Sequence, residues 1–259
     1  MTKHVRFNRL LARYLLFFIM LALGFSVRAQ VSTTVTMSAS PIAGSPFASL
    51  ADAITAVNGL TITGPVVVTA SAGSETNPAG GYSITATGSS TNTITIQGAG
   101  SGSTIITAPN PAGTAGALTD AIFKIIGGDY ITISGFGMNE NAANTTIVVV
   151  INNMVEWGVA LLYASTTNGA QNCTIQNNAI TLNRTYQNTF GIYSNSTHST
   201  TSVTTSATAT TSAGGNSGLK IYSNTISNVN LGIVVIGPTA IADVNTGVEI
   251  GGAGLGNTI

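Results

Sequence analysis

The chain has 259 residues and is poor in charge: 6% of it is Asp, Glu, Lys or Arg, eight acidic against eight basic, with one cysteine. Ordinary domains carry about 25% charged residues, and the few basic residues here form no patch that could neutralise phosphates, which excludes nucleic-acid binding. The lone Cys173 excludes an internal disulfide, and abundant Ile, Val and Thr with so little charge exclude a disordered chain.

In chain order, the first element is a leader. Lys3, Arg6, Arg9 and Arg13 form a basic start, the uncharged apolar run 15–25 follows, and Val27 and Ala29 fit the small-residue positions before a cleavage. That order predicts a secretory signal peptide over residues 1–29. The apolar run falls short of the roughly 20 residues that span a bilayer as a helix. Cleavage after Ala29 removes five basic residues and no acidic one, leaving three against eight, a net charge of −5.

Residues 30–60 read as an extended lead-in and one short amphipathic helix. Ser45 is placed as its N-cap and Pro46 at its first position. Phe47, Leu50, Ile54 and Val57 share a face, and Asn58-Gly59 supplies the stop. Such a helix suits the open end of a stack of strands.

From residue 61 to 259 short strands alternate with turns rich in Gly, Asn, Ser and Thr. One pattern recurs as Ile94-Thr95-Ile96, Ile131-Thr132-Ile133, Cys173-Thr174-Ile175, Leu219-Lys220-Ile221 and Val248-Glu249-Ile250. In two copies a further apolar position follows an asparagine, as in Asn178-Ala179-Ile180 and Asn224-Thr225-Ile226. A second family reads Trp157-Gly158-Val159, Phe190-Gly191-Ile192 and Leu231-Gly232-Ile233. Alternation sends one side chain in and the next out. A single strand cannot bury its apolar side alone, so repetition favours coils stacked into a common core. The expected fold is all-β, a right-handed parallel β-helix with a short N-terminal capping helix. Ile96, Ile133, Ile175, Ile221 and Ile250 are expected to share one interior file, and Asn178 and Asn224 to stack as a ladder. A β-sandwich is the competing architecture. Residues 194–215, dominated by Ser and Thr, read as a flexible loop inserted between coils.

The run Phe47-Ala48-Ser49-Leu50-Ala51-Asp52-Ala53-Ile54 with Asn58-Gly59 and Gly64-Pro65-Val66-Val67-Val68, and then 91–100 with the Asn-x-Ile copies, resembles the opening of large secreted bacterial proteins with pectin-lyase-like β-helix repeats. The resemblance covers about residues 45–259. It implies this fold and an extracellular or cell-surface location. For function it implies either an adhesin-like scaffold or, alternatively, a polysaccharide lyase or glycoside hydrolase. The chain stops at Ile259 within an expected coil, which reads as a fragment of a longer protein.

Lyase or hydrolase chemistry needs converging carboxylates. Asp120 and Asp129 are the nearest acidic pair in sequence, Asp129 and Asp243 stand at unmatched coil positions, and Glu156 has no acidic equivalent before Phe190 or Leu231. No carboxylate pair is expected, and no catalytic, cofactor or metal residue is assigned. Arg184 and Lys220 read as solvated, with Lys220 outward between Leu219 and Ile221. His198 falls in the inserted loop, without rigid neighbours. Cys173 shares parity with Ile175 and is expected in the core, where a thiol stays protonated. Tyr186, Tyr193 and Tyr222 are the candidates for contact with a glycan. The sequence thus points to a non-catalytic secreted scaffold, with an extracellular polysaccharide as its candidate partner and no cofactor.

Overall fold

A computed structural model describes residues 29–195, 198–199, 204, 206–239 and 244–259. The expected signal peptide, apart from Ala29, lies outside the described residues. Among the described residues the protein is mostly β, built from three sheets and a single α-helix.

The first sheet has eight strands, in the spatial order Ser40–Pro41, Thr33–Met37, Val66–Ala70, Ile94–Gln97, Ile131–Ser134, Thr174–Gln176, Lys220–Tyr222 and Glu249–Ile250. The second holds Gly73–Thr76, Thr104–Thr107, Gly137–Asn139, Ala179–Thr181 and Thr225–Ser227. The third holds Tyr82–Ile84, Ala121–Ile126, Trp157–Leu162, Phe190–Asn195 and Leu231–Val235. From Val66 onward the chain visits the three sheets in rotation, and each strand pairs in parallel with the strand three places later. The antiparallel exception is the lead-in, where Thr33–Met37 runs against Val66–Ala70 and Ser40–Pro41 folds back on it.

Register follows the apolar pattern. Val68, Ile96, Ile133, Ile175, Ile221 and Ile250 are successive partners across the first sheet. The first five are fully buried, and Ile250, on the outermost strand, is 54% exposed. Cys173 lies between Ile131 and Leu219 in the adjacent file and is buried. Burial pushes its thiol up to about 12, so it stays protonated.

The corners carry a matching file of left-handed residues. Tyr130, Asn172, Gly218 and Gly247, each just before a first-sheet strand, have φ of 54, 54, 70 and 63°. Gly135, Asn177 and Ser223, just after such strands, have 77, 56 and 52°. Asparagine enters this region readily and glycine freely, whereas Tyr130 is held there against its preference.

Beyond the second corner stands an amide ladder. The Asn178 amide nitrogen donates to the Ile133 carbonyl (3.2 Å) and to Asn224 Oδ1 (3.1 Å). Asn224 repeats the pattern with the Ile175 carbonyl (2.9 Å) and Asn257 Oδ1 (3.0 Å), and Asn257 donates to the Ile221 carbonyl (2.9 Å). The ladder is therefore one step longer than the two residues expected. A second one, at the return from the third sheet to the first, runs from Ala170 N–H to Asn216 Oδ1 and from Asn216 N–H to Asn245 Oδ1, each 2.9 Å.

Three readings need correction. The sequence suggested two strand families, and there are three: the apolar positions after Asn178 and Asn224 belong to a sheet of their own, and within the family of Trp157 one member went unrecognised. Ala121–Ile126 escaped because its burial does not alternate: Ala121, Ile122 and Phe123 are all buried. The helix spans Leu50–Asn58, capped by Ser49, whose Oγ accepts from Asp52 N–H (3.1 Å). Ser45 instead holds the lead-in strand by accepting from Val35 N–H (2.9 Å), and Phe47 pairs with Thr33 in an extended bridge. Leu50, Ala53, Ile54 and Val57 are the buried helix face, and the helix packs against Tyr82–Ile84, Thr33–Met37 and Val66–Ala70. Finally, the inserted loop does not hang free where it is described. Ser194 and Asn195 complete a strand, and the far part docks on the preceding connection through Gly169 N–H to Ala213 O (2.8 Å) and Thr210 N–H to Thr166 O (2.8 Å).

Among the described residues no helix is long and apolar enough to cross a membrane.

Candidate functional site

The densest polar chemistry sits where the second sheet hands the chain to the third. Trp157 pairs with Ala121, so the residues just before them, Glu156 and Asp120, occupy neighbouring rungs. Both are buried, at 1% and 3% exposure. The expectation that no carboxylates converge is therefore corrected. The matching position before Ala121 was missed because Ala121–Ile126 was not recognised as a strand; its run Ala-Ile-Phe-Lys-Ile-Ile was the available signal.

Glu156 organises the cluster. Its Oε2 accepts from Asp120 N–H (2.8 Å) and its Oε1 from the Asn152 amide (2.8 Å). The Tyr186 hydroxyl also bonds to it, while receiving the Asn152 amide and the Asn188 amide. Burial, reinforced by the Asp120 charge, pushes the Glu156 carboxyl well above its ordinary range. Asp120 is raised to about 6, chiefly by burial, with Lys124 opposing and Glu140 adding to the shift. Lys124 is lowered by burial, against the pull of Asp120 and Glu156. Glu140 is raised by burial although it accepts from Asn141 N–H, the Asn144 amide and Val155 N–H, each 2.8 Å. Gly113 makes room for the cluster, since a Cβ there would stand 1.8 Å from Asp120 Oδ1.

An aromatic group covers the outer side. Trp157 and Tyr193 stack at 5.0 Å with 6° between planes, and Phe190 meets Tyr193 edge-on at 5.5 Å. His198 closes over them, 4.4 Å from the Trp157 ring, with its Nε2 on the Leu118 carbonyl. It has rigid neighbours after all, and burial lowers its pKa. The recess among Leu118, Glu156, Trp157, Tyr193 and His198 has room on the order of one water molecule. A buried acid pair with a basic neighbour has the raw materials of proton transfer, but this one admits no sugar.

The tyrosine candidates separate. Tyr186 is fully buried and Tyr193 is 2% exposed, so neither offers a ring face to a glycan. Tyr222 lies at the surface with its hydroxyl on Glu249. Lys220 points outward and lies 3.8 Å from Glu249, and Arg184 is exposed. Among the described residues no three or more of His, Cys, Asp and Glu are placed to hold a metal.

Burying these carboxylates ties stability to pH. Asp120 and Glu156 have folded-state values above the unfolded ones. Their contribution is fully present below the unfolded values of 3.8 and 4.5, and is lost as pH rises through the folded values, about 6 for Asp120 and well above the ordinary value for Glu156. His198 works in the other direction, present above 6.5 and lost as pH falls. The carboxylates outnumber it, so the chain should be more stable at pH 5 than at pH 8, with Asp120 alone contributing on the order of 1 kcal/mol. Glu156→Gln, which mimics the protonated side chain, should flatten that slope. Thermal melts followed by circular dichroism across this range read both, and a flat wild-type profile refutes the linkage.

Compared with known proteins, the chain matches no family model, no curated protein and no solved structure.

Proposed function

We propose that this chain is a secreted or cell-surface parallel β-helix of the pectin-lyase-like kind, acting as a non-catalytic, adhesin-like scaffold. The observation that carries the reading is the in-register file from Val68 to Ile250, backed by the Asn178–Asn224–Asn257 ladder. Repetition of this kind gives a stiff wall in which each layer is held by its neighbours. A surface wetted mainly by hydroxyls and amides, with few charges, suits weak contact with an extracellular polysaccharide. The basic start and short apolar run before Ala29 support export.

The lyase or hydrolase alternative draws on Asp120 and Glu156. Their closure from solvent and their mutual hydrogen bonding favour a structural role. The test is to incubate the purified, exported chain with pectins, alginates and glycosaminoglycans in the presence of calcium. The scaffold reading expects no turnover and weak binding at most. Clear turnover that disappears in Glu156→Gln would replace it with the enzyme reading.

A further inference from the structure

A second polar surface lies apart from the buried carboxylates, on the outer face of the second sheet. Ile106, Met138, Ile180 and Ile226 are successive partners across that sheet and are buried. The residues just after them, Thr107, Asn139, Thr181 and Ser227, are partners in turn and by alternation point outward. Thr76 pairs with Thr107, so five successive layers carry a file of hydroxyl or amide side chains. At its middle, residues 139–142 of the third layer and 181–183 of the fourth wall a cleft of about 400 Å³, with Asn228 from the fifth. That is the size of a small-molecule site. Its polar groups are held in place yet keep open valences. Asn228 Nδ2 donates to the Leu182 carbonyl (2.6 Å), which leaves its Oδ1 open. Asn183 Oδ1 accepts from the Thr185 N–H (3.1 Å) and hydroxyl (2.7 Å), which leaves its amide hydrogens open. The Thr181 and Ser227 hydroxyls share a hydrogen bond of 2.9 Å. The Asn139 amide has no partner among the described residues.

We propose that this cleft, with the file of hydroxyls and amides that crosses it, binds a neutral polysaccharide laid along the axis of the stack. The inference rests on the reading of the chain as a scaffold in weak contact with polysaccharide, and gives that contact a place. Three features select the ligand. Sugar hydroxyls both donate and accept, and an amide beside a hydroxyl offers both roles. Layers repeat about every 4.8 Å, close to the advance of an extended glycan per sugar, so one chain can meet Thr107, Asn139, Thr181 and Ser227 in turn. Finally, the cleft presents no usable charge. Glu140 is the one charged residue in its lining, and its oxygens accept from the Asn141 N–H, the Asn144 amide and the Val155 N–H, each 2.8 Å, so they are not available to a cation. No aromatic ring lines the cleft, so contact depends on hydrogen bonds and is weak.

Affinity electrophoresis of the purified, exported chain tests this, in gels that contain galactomannan, a linear β-glucan or polygalacturonate, all with EDTA. At least one neutral polymer should retard the chain, and polygalacturonate should not. Asn139→Ala with Thr181→Ala should raise the apparent Kd about tenfold, with the β-sheet circular dichroism and melting temperature at wild-type values. Should that pair lower the melting temperature, Thr181→Glu, a single change at an exposed site, takes its place and should abolish retardation. Tyr222→Ala, on the first sheet, should change nothing. Retardation that survives the substitutions in the cleft, or is lost with Tyr222→Ala, overturns this site and leaves the glycan-contact reading standing. Retardation by polygalacturonate alone overturns the neutral ligand. A β-rich, cooperatively folded chain that no gel retards overturns the site and the polysaccharide contact together.

Discussion

Replacing Gly191 with valine is expected to prevent stable folding, with a loss of at least about 4 kcal/mol. Trp157 pairs with Phe190, Val159 with Ile192 and Phe190 with Leu231, so Gly158, Gly191 and Gly232 form one file along the third sheet. Each faces an isoleucine beside the second sheet. A Cβ on Gly191 would lie 2.4 Å from Ile226 Cγ2 and 2.6 Å from the Gly232 carbonyl oxygen. On Gly158 it would lie 2.5 Å from Ile180 Cγ2, and on Gly232 2.5 Å from Ile259 Cγ2. The φ of Gly191 is not in the left-handed region, so room rather than conformation demands glycine here. The isoleucine can be trimmed, but the carbonyl belongs to the sheet ladder and has nowhere to go. Gly191→Ala should therefore cost about 2–3 kcal/mol, and combining it with Ile226→Ala should cost less than the sum of the two by more than about 1 kcal/mol. Urea denaturation of the four proteins measures that coupling. A Gly191→Val chain with the wild-type melting temperature would show that the two sheets are not packed this closely.

Substitution of Asn224 by leucine, similar in size but without polar atoms, should cost roughly 3–6 kcal/mol. Asn224 is 1% exposed. Its Oδ1 accepts from the Asn178 backbone N–H and from the Asn178 amide, both at 3.1 Å. Its own amide satisfies the Ile175 carbonyl and Asn257 Oδ1. Leucine leaves the Asn178 backbone N–H and the Ile175 carbonyl without these partners away from water, whereas Asn257 Oδ1 keeps the Asn224 N–H and the Asn178 amide keeps the Ile133 carbonyl, and each buried orphan costs about 1–3 kcal/mol. Asn224→Asp should be as damaging at neutral pH, because a carboxylate accepts but cannot donate to two facing acceptors. It should recover partly in acid, where the protonated form donates once. Denaturant midpoints at pH 7 and pH 4 give the comparison. A leucine variant within about 1 kcal/mol of wild type would mean that the ladder contributes register but little stability.

How far these features could be read in advance depended on whether burial leaves a periodic trace. Ile94-Thr95-Ile96 and its copies up to Leu219-Lys220-Ile221 bury every second residue, so their face and register followed from parity alone, and the Asn178–Asn224 equivalence came with them. Trp157–Leu162 and Phe190–Asn195 are buried on both faces. They were found by likeness to each other, which Ala121–Ile126 lacks. That omission hid the carboxylate pair, since Asp120 gains its partner only through the register of that strand. The helix start was misplaced because Ser45-Pro46 fits a capping pattern as well as Ser49 does. What decides it is the Asp52 carboxylate, which receives the Ser49 hydroxyl (2.7 Å) while the Asp52 N–H returns to Ser49 Oγ. His198 gave no signal, because its contacts with Trp157 and Leu118 come from a Ser/Thr-rich stretch without periodicity.

The rule that every strand finds its partner three strands onward has a kinetic side. Partners are separated by about one circuit of the chain wherever they lie, so adding circuits does not lengthen the loops that must close. A chain emerging N-terminus first meets a finished template at each step, begun by the helix Leu50–Asn58 and the antiparallel strand beside it.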